Sequence, residues 1–426
     1  MKTHVFSQNF LNRLSIVKKL IPVIVLSLFF ASCSSDDDED DDFSPPTNLN
    51  AEMLEGDFDE LHLTNKFDDP QEADYIIVGD VAINVELKID PGVRVEAEED
   101  MEIVIEESAH VVASGSDQKN IILTTANQAA GQYWKGIRIN SSDARNSLSY
   151  TVVEYAANSN FSIGPFSSQN RSAAIAVDDD AVLSLTNCKI QNNASYGVFV
   201  RGEINDFQAN EFTDNDGAGI ASHVRNAGAI DEASTFSGNS FNGVEITGGT
   251  IALPTEWSRL SSDAFYKITE DISVEAHLTV HEGTLLHFDE DVEIVVDEGA
   301  SGTSHDGIIE VKGSASNPVL FTSSNHAGGQ HWKGLRVNTS DLRNSLDHAI
   351  FEYGGESRIS IGPFSSQNRE TNIAVDEDAY LAFGTVTSSH SKGWGIAAIL
   401  SDDIDISNAD LTYEGNTQGD LEIVDE

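Results

Sequence analysis

The stretch QYWKGIRIN at residues 132–140 recurs as QHWKGLRVN at residues 330–338. Around it, residues 132–181 match residues 330–379 at a constant offset of 198 without a gap, and 31 of the 50 paired positions are identical. The longest unbroken identity is IGPFSSQNR, Ile163 to Arg171 and again Ile361 to Arg369. A fixed-period self-match marks a chain built from copies of one structural unit. It is silent on chemistry, because polar residues kept in both copies serve either the unit's own fold or a shared ligand.

The unit reads as β. Val81, Ile83, Val85, Leu87 and Ile89 put apolar residues at every odd position, with Asn84, Glu86 and Lys88 between them, at the period of a half-buried strand. The second copy repeats this as Ile272, Val274, Ala276, Leu278 and Val280, offset by 191, so about seven residues are inserted later in that copy. Short apolar runs follow (Ile121–Thr124, Ile137–Ile139, Val152–Tyr155, Ile175–Val177, Val182–Leu185, Val198–Val200), separated by Gly, Asn, Ser and Asp. No segment beyond the first 33 residues carries a sustained helical period. Such a pattern suits a sandwich array or a right-handed parallel β-helix. Scarce Asn-Gly hairpin signals (Asn242-Gly243 alone) and corners tolerant of left-handed backbone at Asn192, Asp178 to Asp180 and Asn416 favour the β-helix. Pro254-Thr255-Glu256-Trp257 parallels the first copy's entry around Phe67, which suggests a separate cap for each copy.

The runs Leu87-Lys88-Ile89-Asp90-Pro91-Gly92-Val93, Tyr133-Trp134-Lys135-Gly136-Ile137 and Val152-Val153-Glu154-Tyr155-Ala156, with their second-copy counterparts, are similar to those of right-handed parallel β-helix lipoproteins of Bacteroidetes. The resemblance spans residues 75 to 400 and implies an all-β solenoid, without implying an activity. At roughly 22 residues per coil it implies some 15 or 16 coils and a rod on the order of 75 Å.

The N-terminus carries an address. Lys2, Arg13, Lys18 and Lys19 precede the apolar run Leu20 to Phe30, which is too short to span a bilayer, and Phe30-Ala31-Ser32-Cys33 follows. That ending resembles a bacterial lipobox, although Phe30 stands where Leu is usual, and it implies cleavage and lipidation at Cys33. Ordinary secretory cleavage near Ala31 is the other reading. Seven consecutive acids, Asp36 to Asp42, come next. This start resembles Bacteroidetes surface lipoproteins, in which the acidic run directs export to the outer face of the outer membrane; it also serves as a self-repelling tether. The expected organisation is a signal peptide at 1–32, a lipidated tether at 33–58, and β-helix copies at 59–252 and 253–426.

Without the four basic residues of the signal region the chain has 24 − 4 = 20 basic against 71 acidic residues, a net of −51. That field disfavours nucleic acid, anionic lipid and unassisted polyanions, and leaves neutral glycans, cationic partners and divalent metals open. Solubility in salt explains the same bias with no ligand. Cys188 is the one cysteine left after cleavage, so no intramolecular disulfide forms, and its alternating surroundings suit a buried small hydrophobe.

Candidate ligand residues concentrate in the repeat: Trp134, Arg138, Asp143 and Arg145, matched by Trp332, Arg336, Asp341 and Arg343, and the loop residues Gln169, Asn170 and Arg171, matched by Gln367, Asn368 and Arg369. A Trp platform with Arg, Asp and Asn around it would stack on and hydrogen-bond a sugar. A loop-pinning Asp143–Arg145 pair with Trp134 filling a corner is the structural alternative. Asp178, Asp180, Asp376 and Asp378 lie at matching turns that could offer oxygens to calcium, the one cofactor in question; solvated turns are the simpler account. His277, His281, His287 and His305 fall only in the second copy, with no metal-binding spacing. No lyase or hydrolase signature singles out a catalytic pair. The sequence thus points to a lipid-anchored, outward-facing, non-enzymatic glycan-binding or adhesion module. A polysaccharide lyase or glycosidase is the first alternative, and a spacer or subunit of an outer-membrane complex is the second.

Overall fold

Val81 begins a column of residues followed from coil to coil by strand register: Val81, Ile103, Ile137, Ile175, Val198, Ile220, Val244, Tyr266, Leu286, Phe321, Phe351, Ser388 and Tyr413. Every pairing along it is parallel, and all but Tyr413 are buried. The computed structural model describes residues 50–162, 170–298, 307–362, 364–399 and 404–424; Cys33 and the acidic run lie outside them. Within this part the chain winds as a β-helix of three faces. Thr151–Glu154, Ala173–Val177 and Val182–Thr186 make one coil, and Lys189–Gln191, Tyr196–Val200 and Glu203–Gln208 stack on it as the next.

The column crosses from the first copy to the second between Val244 and Tyr266 without a break, so the copies form one rod. The expected second cap is absent: Trp257 is fully buried, and its strand, Thr255–Trp257, pairs with His277–His281. With Gly56 below Val81 the column counts fourteen coils, or about 60 Å at ~4.8 Å per coil. That is shorter than a uniform period implies, because loops lengthen coils without adding height. Ile137 and Ile175 are 38 residues apart, whereas Val198 and Ile220 are 22 apart. The first strand, Glu52–Leu63, starts inside the stretch read as tether.

Duplication and stacking are out of phase. Gly136–Ile139 lies in the second-face ladder, which continues through Phe241–Ile246 into Phe265–Ile268. Its duplicate, Gly334–Val337, lies in a different ladder, with Gly249–Ile251, Ile272–Val274 and Glu293–Val296. Among the described residues, 21 strand steps plus the 3-10 segment Val224–Ala229, which takes a strand's place, lie between the duplicates; the sum of 22 is one more than seven turns of three. The second copy is therefore advanced by one face, a third of a turn, and equivalent loops leave the rod from different edges.

Inside, apolar residues repeat at each level and aromatics stack: Phe321 on Phe351 at 4.3 Å, and Trp332 on Phe288 at 4.3 Å. At one corner Asn193 donates to Asn215 and Asn215 to Asn239, each at 2.8 Å, satisfying amides that stacking removes from water. Left-handed corners fall at Asp180 and Asn192 as expected, whereas Gly415 takes the turn expected of Asn416. Cys188 is buried, and burial pushes its thiol up to about 12, so it packs as a small hydrophobe.

Candidate functional site

In the second copy the described residues of the nonapeptide belong to a flap that leaves the rod and folds back on its outer wall. Antiparallel bridges, Phe161 with Arg171 and Ile359 with Arg369, close each flap at its base. At the base of the first, Phe161 packs on Ala173, Ala176, Phe199 and Ala221; beneath the second, Ile359 and Ile361 pack on Ala374, Ala397 and Ile399. Alanine on the outward side of these strands makes room for the flap. Residues 163–169, including Gln169, lie outside the described residues. Gln367 is buried, accepting from the Phe364 amide at 3.0 Å, and so serves the flap rather than a ligand.

Trp134 and Trp332 are 1% and 0% exposed, and their indole N–H groups donate to the carbonyls of Glu154 and Glu352. This overturns the Trp-platform reading: rings packed inside the rod have no face for a sugar. Asp143 and Arg145 form a local pair at the surface, as do Asp341 and Arg343. The guanidinium holds the Asp143 carboxyl well below the usual range and brings Asp341 down to about 2. Buried Asn146 and Asn344 pin the same loops by accepting from Val111 and Ile309. Arg138 sits beside Glu102, and Arg336 forks onto Asp376, which also caps the Gly362 amide. Asp178 accepts from the Asp179 amide, while Asp180 and Asp378 occupy left-handed corners. Among the described residues no three acids, histidines or cysteines are grouped to hold a metal ion.

The structure instead brings Arg369 and Asn368 together with a tryptophan that the repeat match did not flag. Trp394, on Trp394–Ala398, lines a groove of about 320 Å3 with Arg358, Asn368, Arg369, Glu370 and Gln418. Its strand pairs with Gly419, where an added Cβ would meet the indole Cζ3 at 2.3 Å; the ring lies over that glycine. Arg369 forks onto Glu422 at 2.9 and 3.1 Å, and Glu370 is flanked by Arg358 at 3.7 Å and the Gln418 amide at 3.4 Å. A signal for Trp394 existed: Tyr196 sits 198 residues earlier, so an aromatic recurs at this place just beyond the identical block. In the first copy a different groove, about 550 Å3, is lined by Arg171, Asp179, Phe199, Arg201, His223 and Arg225; Tyr196, the counterpart of Trp394, does not line it.

A family model described as a right handed beta helix region matches residues 103–254. The fold is a right-handed parallel β-helix. No curated protein and no solved structure matches the chain.

The second-copy histidines do not converge on these grooves. His277 meets Glu310 at 2.6 Å and His281 meets Glu256 at 2.9 Å; His305 lies outside the described residues. His287 stacks on Phe265 at 4.1 Å, and burial pushes its pKa down to about 4. The unfolded chain takes up this proton near 6.5 and the folded chain only near 4, so stability falls as pH drops between those values. The ceiling is about 3 kcal/mol. His287→Phe keeps the stack and is expected to flatten that part of the stability profile in urea titrations from pH 7 to 4; an unchanged slope would show that other groups carry it.

Proposed function

We propose that this protein is a lipid-anchored, outward-facing, non-enzymatic glycan-binding module whose sugar site is the groove beside Trp394. One observation carries the reading: an indole laid over Gly419 and edged by Arg358, Asn368 and Gln418 offers an apolar plate with hydrogen-bonding groups around it. The CH face of a pyranose matches the plate, and its hydroxyls match the amides and guanidinium. Glycoside hydrolysis needs two carboxylates in different protonation states, one poised as an acid. Here Glu422 is held by Arg369, and Glu370 by Arg358 and Gln418, which suits retention better than proton transfer.

The chain from Pro46 onward, which forms one compact unit, is the form to assay. It is to be tested on neutral and acidic polysaccharides, with and without calcium, with new reducing ends and unsaturated products measured in the same wells. Retention without product is the expected result. Product formation would transfer the site to a lyase or hydrolase, and absence of both would favour a spacer or subunit role.

A further inference from the structure

We propose that the first-copy groove at Arg201 and Arg225 binds an anionic sugar unit, through its carboxylate or sulfate. The inference extends the glycan-binding reading to a second, separate site with a different ligand chemistry.

Composition makes the cluster stand out. The chain has 24 basic residues against 71 acidic ones, yet Arg171, Arg201 and Arg225 line one groove, facing two carboxylates, Asp179 and Glu270. Arg201 is fixed by a fork onto Asp179 at 2.9 and 3.0 Å. Arg225 is held differently: one Nη donates to the Arg201 carbonyl at 2.9 Å, and it takes part in no ion pair among the described residues. A guanidinium oriented by a neutral carbonyl keeps both its charge and further N–H donors for an oxyanion. His223 completes the wall. Burial, then the two neighbouring arginines, push its pKa down, so it stands neutral beside them. Its ring occupies the space over Gly249, where a Cβ would meet Nε2 at 2.3 Å.

The duplication separates what the fold needs from what has been added. Val200 and Ala398 are equivalent by register, which places Ile399 opposite Arg201. Ile399 is fully buried in the apolar cluster under the second flap. The scaffold therefore accepts an apolar residue there, and the arginine of the first copy is not required by the fold. Phe199 is buried in the same wall, with the Arg171 guanidinium 5.7 Å from its ring centre, so the ring seats that cation at the groove. The acidic surround repels densely charged polymers and selects for sparsely charged chains.

The test is calorimetric titration of the full mature chain with a glucuronic-acid-bearing oligosaccharide, a sulfated oligosaccharide, their neutral counterpart, and inorganic sulfate and phosphate. The charged oligosaccharides are expected to bind, weakening as salt rises, and Arg225→Ala to cost at least tenfold. Arg201→Ile, which installs the second copy's residue, is expected to fold and to lose the same affinity. Neutral-glycan binding at the Trp394 groove is expected to be unchanged in both variants. Equal affinity of wild type and Arg225→Ala for the charged sugars would overturn the proposal. Inorganic sulfate or phosphate binding as tightly as the oligosaccharides would overturn its sugar component. Loss of neutral binding alone would refute the Trp394 site and leave this one standing.

Discussion

Trp332→Ala is expected to destabilise the rod by about 3–5 kcal/mol, read as a lowered denaturation midpoint. The indole is fully buried, stacks on Phe288 at 4.3 Å, and lies 6.4 and 6.5 Å from the ring centres of Phe321 and Phe351. Truncation opens a cavity between coils that cannot collapse, because each coil's height is fixed by backbone ladders above and below. It also removes the donor to the Glu352 carbonyl at 2.9 Å. In a stacked array each coil contacts only its neighbours, so the loss should fall on the coils around Trp332 and leave those around Val198 protected in hydrogen exchange. Trp332→Phe keeps an aromatic and should cost less. A midpoint shift below that of an exposed control such as Leu342→Ala would show that the indole does not hold the coils together.

The same residue shows what the sequence could and could not disclose. Trp134 and Trp332 recur as large side chains packed inside the rod, and Asn146 and Asn344 as amides whose oxygens accept from the Val111 and Ile309 backbone N–H. Duplication alone could not separate these from ligand residues, since both kinds would be kept. Strand alternation was readable until a corner intervened. Tyr75–Ile89 looks like one straight strand, yet its successive parts pair with three different strands, and Val85, at a bend between them, is 44% exposed instead of inward. The one-face advance was hidden because it depends on counting elements, one of which is the 3-10 segment Val224–Ala229 that has no strand pattern. The Trp394 groove was hidden because its wall comes from a flap and from two strands whose sequences match poorly between copies. The repeat had nonetheless named two of its residues, Asn368 and Arg369.

Trp394→Ala is expected to weaken glycan retention about 10- to 100-fold, or about 1.4–2.8 kcal/mol, with the fold intact. The intact fold follows from position: the side chain lies on the outward side of its strand and is only partly buried, while Ile396, its inward neighbour, carries the packing. Gly419→Ala tests the same geometry from below. Its backbone φ of 151° is one that alanine rarely adopts, so the substitution strains this turn and also brings the new methyl within 2.3 Å of Cζ3, and both effects should tilt the ring off the wall. A loss of affinity in the same direction, accompanied by a shift in Trp fluorescence, is expected. Tyr196→Ala, at the equivalent place on the first copy, should leave neutral-glycan binding unchanged, because that copy's flap leaves the rod from another edge. If Trp394→Ala retained full affinity while Tyr196→Ala lost it, the sugar would lie on the first copy, and the plate at Trp394 would be a packing surface for the flap.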